Sequence, residues 1–162
     1  MLVTGTVAVG LAAGAALALR PLADAAPLLA WNDPSTVAAG HAIYSSDCAA
    51  CHGGLGAEAP TADERATLSA PPHDATGHSW QHPDFALFEL TKSGEVAALC
   101  RSLDGSDMPQ FGSDLSDREI LAVLAYIKST WPEEIRSQQE GINALYTAQN
   151  AAIRDLVAEG GS

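Results

Sequence analysis

The sequence has little positive charge and little sulfur. Its 162 residues include 8 Lys and Arg against 20 Asp and Glu, which gives a formal net charge of −12. Proteins that contact nucleic-acid phosphates need clusters of Lys and Arg, so direct nucleic-acid binding is excluded. Three cysteines are too few for a disulfide scaffold. With 47% apolar and 17% charged residues, the chain can bury a core, and its length suits one acidic domain.

Other absences narrow the fold and the function. No segment has the alternating apolar pattern of a strand, and no repeat of solenoid period is present, so we predict an all-α domain. The sequence contains neither a nucleophile–base–orienter set nor a glycine-rich phosphate loop. We therefore expect a protein that is not itself an enzyme, although it could serve as a subunit or partner of an oxidoreductase.

The N-terminal segment, residues 1–20, is predicted to be a hydrophobic anchor. The run from Leu2 to Leu19 has no charged residue, and as a helix it would span about 27 Å, close to a hydrocarbon core of about 30 Å. A cleaved signal peptide is the alternative, with Ala23-Asp24-Ala25 as the cleavage site. A buried helix of a soluble domain fits less well, because the run has no polar face. Both favoured interpretations export the domain, and residues 21–32 are predicted to be a linker.

The strongest motif is Cys48-Ala-Ala-Cys51-His52, a C-x-x-C-H sequence followed by two glycines. Two thiols at this spacing can form thioether bonds to the vinyl groups of one haem, and the adjacent imidazole can bind the iron. A thioredoxin-type pair would open a helix after a strand, and a structural zinc site needs further ligands, although only Cys100 is left. We expect Cys48 and Cys51 to attach haem c and His52 to be its proximal ligand.

Three helices are predicted within residues 33–132. Asp33-Pro34 is typical of a helix start, and this first helix would lead toward Cys48. A second helix is expected from about Asp84 to Ser93, with Gly94 after its end. A third begins at the capping box Ser116-Asp-Arg-Glu119, and Trp131-Pro132 closes it. Residues 133–162 form a C-terminal helical extension, which we expect to pack along its own domain; a helix for a partner or a dimer is the alternative.

Met108 is predicted to be the sixth ligand. The chain has only two methionines, and the other is Met1. Met108 lies in a loop between the C-x-x-C-H motif and the last helix of the domain, where Pro109 restrains the backbone. An ordinary core methionine is the alternative role. His41, His73, His78 and His82 are rival ligands; His41 lies on the wrong side of the motif, and the other three lie in a loop.

Taken together, these motifs resemble the class I c-type cytochromes, the small bacterial monohaem cytochromes c. The resemblance covers about residues 33–132 and includes Gly40, Tyr44, the C-x-x-C-H-G motif, Met108-Pro109, and the segment from Leu115-Ser-Asp-Arg-Glu-Ile to Ala125-Tyr-Ile-Lys128. It implies three main helices around one haem, with the first and last crossing near Gly40, Tyr44 and Tyr126.

The resemblance also implies roles for single residues. Cys48 and Cys51 would be the thioether attachments, and His52 and Met108 the axial ligands. A proline carbonyl accepts the N–H of the proximal imidazole in such proteins, and Pro71 or Pro72 is the candidate here.

The remaining candidates surround this site. We expect the Trp80 indole to cover the haem edge and to reach a propionate. An accessory copper or zinc site made by His73, His78 and His82 with Asp74 is the less favoured hypothesis for these loop residues. Cys100 is expected to be a small buried residue rather than an intermolecular disulfide.

The predicted function is that of a single-haem electron carrier in the periplasm, at the outer face of the cytoplasmic membrane. Only two lysines are present, so its redox partners should offer basic docking surfaces. The membrane would be a further partner through residues 2–19, if these are not cleaved; no feature specifies an oligomeric state. Two alternatives stay open: a haem protein with an open or labile sixth site, and a metal-handling protein that uses His73, His78 and His82.

Overall fold

The computed structural model describes residues 26–94 and 108–160. Within them there are seven α-helices and no strand. The helices are α1 (Pro34–Ile43), α2 (Ala49–His52), α3 (Ala62–Arg65), α4 (Asp84–Ser93), α5 (Asp117–Ser129), α6 (Glu133–Asn143) and α7 (Thr147–Glu159). A π-helical turn, Tyr44–Cys48, joins α1 to α2, and four short 3₁₀ turns lie at Gly56–Glu58, Ser79–Gln81, Phe111–Ser113 and Ala144–Tyr146. The predicted all-α class is confirmed.

Two of the predicted helix starts are stabilised by their own sequence. The Asp33 carboxylate accepts the backbone N–H of Thr36 at 2.7 Å, with Pro34 in the first turn of α1. At the start of α5, Ser116 and Glu119 form the predicted capping box. These bonds satisfy backbone donors that no helix turn can reach.

Helices α1 and α5 form the most extensive helix contact in the described part of the chain. A methyl group added at Gly40 would overlap the backbone carbonyl of Ala122 and lie 2.9 Å from Cβ of Tyr126. Only glycine therefore allows this close approach. The rings of Tyr44 and Tyr126 follow at 5.5 Å between centroids, so the predicted crossing is confirmed.

The C-terminal extension packs on the domain, as expected, but largely through polar side chains. Gln139, Asn143 and Asn150 are buried along with Ile153. Two of the apolar residues that suggested the helical spacing, Leu145 and Leu156, are instead 78% and 50% exposed. Apolar periodicity therefore predicted the helices but not the face that they bury.

The end of the predicted linker also differs from the structure. Leu28 and Leu29 are buried in the core, and backbone bonds in the turn of residues 29–33 hold them there. Burying the apolar surface of two adjacent leucines is favourable in free energy, even though the Ala- and Pro-rich sequence around them is typical of a linker. No helix in the described ranges has the length and apolarity of a membrane span. The predicted anchor, the linker up to residue 25 and Cys100 lie outside the described residues.

Candidate functional site

The cysteine motif lies on a local change of helix type. After α1 the chain widens into the π-turn, in which the N–H of Ala49 donates to the carbonyl of Tyr44, five residues back. The short helix α2 follows and ends at Gly53, whose φ of +79° reverses the backbone direction. The buried Tyr44 hydroxyl donates to the Gly53 carbonyl at 2.8 Å and so closes this turn. π-Turns of this kind are frequent at functional sites.

The two thiols in this turn are free and differ in exposure. Cys48 is half-buried and Cys51 is exposed. Burial, reinforced by the charge of Asp47 and by Cys51, raises the pKa of Cys48 to about 11. A dithiol oxidoreductase needs a lowered thiol pKa, because the thiolate is its nucleophile. The environment of Cys48 therefore does not favour the thioredoxin-type alternative.

His52 has one ring nitrogen committed to the backbone. Its Nδ1 lies 2.6 Å from the carbonyl oxygen of Pro71, 19 residues along the chain. A carbonyl can only accept, so Nδ1 must carry the proton. Burial lowers the pKa of His52, and the bond to Pro71 opposes this in part. The neutral ring, protonated at Nδ1, thus keeps a lone pair on Nε2, and this tautomer is the one that can bind iron.

His73 lies directly against this imidazole. The two rings stack with centroids 3.9 Å apart, and Nδ1 of His73 is 2.7 Å from the hydroxyl of Ser79. Desolvation, with smaller contributions from His52 and His78, lowers the pKa of His73 to about 3. His73 was predicted only as a loop residue, a rival iron ligand or part of an accessory metal site, and the spacing gives no signal for its contact with His52.

The other loop histidines are not assembled into a metal cage in the part of the chain that the structure describes. His78 and His82 form an edge-to-face pair at 5.6 Å. No group of three or more His, Cys, Asp or Glu side chains there could hold a metal ion. His41 lies on α1, with Nε2 3.7 Å from a Glu58 carboxylate oxygen and its ring 4.8 Å from that of Tyr126.

Trp80 and Met108 complete the predicted set. The Trp80 indole N–H donates to the carbonyl of Gly77 at 3.0 Å, and its half-buried ring packs against the core. Met108 is also half-buried and lies shortly before the 3₁₀ turn Phe111–Ser113, which leads to α5. In this structure the indole proton of Trp80 is thus committed within its own loop.

Two buried residues have contacts that the sequence did not predict, one beside the site and one at the start of α4. Trp131, predicted only as the residue that closes α5, donates its indole N–H to the carbonyl of His73 at 2.7 Å. Lys128, named there only as one of two lysines, is fully buried between Asp84 and Glu140. The sequence gives no sign of these partners, which lie far along the chain.

The donor set fits the haem that the motif predicts. It consists of two thiols on one turn and an imidazole whose Nδ1 is already tied to a carbonyl, together with the half-buried thioether side chain of Met108. Thiols can form the covalent links, while imidazole nitrogen and thioether sulfur are both established ligands of haem iron.

A family model described as cytochrome C oxidase, cbb3-type, subunit III matches residues 35–127. That range is more than half of the chain and includes Cys48, Cys51, His52 and Met108. Searches of curated proteins and of solved structures gave no match. The chain belongs to this family of c-type cytochromes: it has a cytochrome c fold, carries covalent haem c and transfers electrons on the extracytoplasmic side.

Proposed function

We propose that this cytochrome is a monohaem, one-electron carrier and not a catalyst. Cys48 and Cys51 would attach the haem, and His52 Nε2 and Met108 Sδ would hold its iron. The bound haem supplies a one-electron ferric–ferrous couple. The observation that carries the assignment is the 2.6 Å contact between His52 Nδ1 and Pro71, which directs the free lone pair to the other ring nitrogen.

The roles of the chain in this function are those of binding and orientation. The bond to Pro71 fixes the rotation of the imidazole and raises its basicity as a ligand. The thioether of Met108, as a ligand, would favour the ferrous state of the haem, and together His52 and Met108 would keep the iron in one environment. We assign this work to residues 33–132, with residues 1–20 as anchor or signal, residues 21–32 as linker and residues 133–162 as extension.

Docking is proposed to use the acidic surface beside the cysteine motif. Asp47, Glu58 and Asp63 are exposed there. The two lysines are already engaged elsewhere, since Lys92 pairs with Asp117 and Lys128 is buried. A partner with a basic surface would be steered to this acidic face, and its association rate should fall steeply as salt is added. The partner is proposed to lie in the periplasm, at the outer face of the cytoplasmic membrane.

The test is the absorption spectrum and electron paramagnetic resonance of the ferric holoprotein. The wild type should be low-spin and show the far-red sulfur-to-iron charge-transfer band. Met108→Leu should lose the band and become high-spin, and His52→Ala should yield no stable holoprotein. His41→Ala is the matched control for the loss of a histidine and should leave the spectrum unchanged.

Other spectra would contradict the assignment. A wild-type ferric protein that is high-spin would mean an open sixth site and favour ligand binding or catalysis. Low-spin iron without the band would point to a nitrogen ligand, which His78→Ala and His82→Ala would then locate. Normal low-spin haem in His52→Ala would remove the proximal assignment altogether.

A further inference from the structure

The contacts of His52 with the backbone depend on an irregular loop. Residues 66–83 connect α3 to α4 and contain a single 3₁₀ turn, Ser79–Gln81. This loop provides the carbonyl of Pro71, at 2.6 Å from His52 Nδ1, and the ring of His73, stacked at 3.9 Å. The loop has hydrogen bonds of its own, such as those from Thr76 and Gly77 to Asp74, and contacts from outside tie it to the packed helices.

Part of that support comes from the end of α5. Trp131 is 1% exposed, and its indole N–H donates to the carbonyl of His73 at 2.7 Å, across 58 residues. A second bond reaches the far end of the loop, from Gln139 Nε2 to the carbonyl of His82 at 3.1 Å. Because the bond from Trp131 acts only two residues from Pro71, it bears most directly on the carbonyl that orients His52.

Trp131 itself is held by contacts with α5 and α6. It follows α5, the helix that packs most extensively against α1, and its backbone N–H donates to the carbonyl of Lys128 at 3.3 Å. The guanidinium of Arg136 donates to the carbonyl of Trp131 and also lies over the ring of Trp31. The indole N–H therefore couples the packed helices to the loop.

We propose that Trp131 is a positioning residue for the proximal imidazole. Its indole N–H fixes the carbonyl of His73 and, through two residues of backbone, the carbonyl of Pro71 that accepts from His52. This inference rests on the proposed role of His52 as an iron ligand. A firm bond at Nδ1 makes the imidazole a stronger donor, which stabilises the ferric state. Loss of the indole bond should weaken that effect and raise the reduction potential.

The experiment compares the full-length holoproteins carrying Trp131→Phe and Trp31→Phe. Trp131→Phe should change the ratio of ferric to ferrous stability several-fold, up to about tenfold, which for one electron corresponds to about 59 mV. The change should be toward higher potential, with faster amide exchange in residues 74–77. Trp31→Phe makes the same substitution beneath Arg136 and should leave both readouts unchanged.

A second replacement separates the hydrogen bond from packing. Benzothienylalanine at position 131 keeps the size of tryptophan but lacks the N–H, and it should raise the potential as Trp131→Phe does. A shift in Trp131→Phe without one in the isostere would assign the effect to packing and overturn the proposal. Equal shifts in Trp131→Phe and Trp31→Phe would overturn it too.

The failure of this inference is distinct from failure of the proposed function. If His52→Ala loses its low-spin haem while Trp131→Phe leaves the potential unchanged, only the positioning role falls. If His52→Ala keeps normal low-spin haem, both proposals fall.

Discussion

The starts of α1 and α4 are stabilised in opposite ways. At α1 the cap is local, because the Asp33 carboxylate accepts from Thr36, three residues on. At α4 the residue before the helix is Pro83, whose side chain makes no capping bond. The backbone N–H groups of Asp84 and Phe85 are instead accepted by side-chain oxygens of Asn143 at 2.8 Å and Asn150 at 2.9 Å.

This difference shows what the C-terminal extension contributes. The two acceptors come from α6 and α7, 59 and 65 residues away from their donors. Helix α1 therefore has its start stabilised by its own sequence, whereas α4 depends on the extension for its first backbone bonds. Since α4 follows loop 66–83, the extension also fixes one end of the loop that supports His52.

The same junction differs from the α1–α5 crossing in chemistry. The crossing is tight and apolar around Gly40, whereas the junction is polar and charged. Lys128 Nζ lies 3.4 Å from an Asp84 carboxylate oxygen and 2.5 Å from one of Glu140, and Gln139 donates to Asp84 at 2.6 Å. A charge buried in this way is tolerated only while its partners are present.

The largest expected effect comes from breaking that ion pair. Lys128→Met should lower the free energy of unfolding by about 3 kcal/mol, because the Asp84 carboxylate, 1% exposed, is left without its cation. Urea unfolding of the holoprotein measures the change. Lys92→Met is the control, since it removes a lysine from a partly exposed pair with Asp117 and should cost at most about 1 kcal/mol.

A loss no larger in Lys128→Met than in Lys92→Met would mean that the junction does not depend on its charge pair. Adding Asp84→Asn to Lys128→Met should recover part of the stability, because the uncompensated charge is then removed as well.

The remote cap gives the next largest effect. Asn150→Ala deprives the N–H of Phe85 of its acceptor and should lower the free energy of unfolding by about 1 kcal/mol, the usual value for a lost helix cap. Urea unfolding provides the measurement. Gln149→Ala, at the exposed neighbouring position, should change stability by no more than about 0.5 kcal/mol. If the two variants behave alike, the start of α4 does not need the extension.

These comparisons also show which features could be predicted from the sequence. The caps at Asp33 and Ser116 and the end of α4 at Gly94 follow from local patterns, because the groups that interact there lie within a few residues of each other. The crossing at Gly40 was available through the family resemblance, which carries the long-range geometry of known relatives.

The polar contacts could not be predicted in the same way. Whether Asn143, Gln139 or Lys128 is buried depends on a partner that the fold brings from another part of the chain. Their residue types are ordinary on a solvated helix face. For the same reason the contacts of Trp131 and His73 near His52 became visible only in the structure.

The smallest expected effect is at the local cap and appears in its pH dependence. Hydrogen bonds from Ser35 and Thr36 lower the pKa of Asp33 from 3.8 to about 2. A pKa that is lower in the folded state stabilises the fold above the unfolded value, and this contribution is lost as the pH falls through about 2. Asp33→Asn cannot titrate, so the stability difference between wild type and variant should be constant above about pH 5 and should shrink toward pH 2.

Urea unfolding across that pH range measures this difference, with Asp155→Asn as the control for removing one exposed negative charge. Parallel pH profiles for wild type and Asp33→Asn would show that the carboxylate charge adds nothing to the cap, so that a neutral acceptor at the start of α1 serves as well as the neutral amides do at α4.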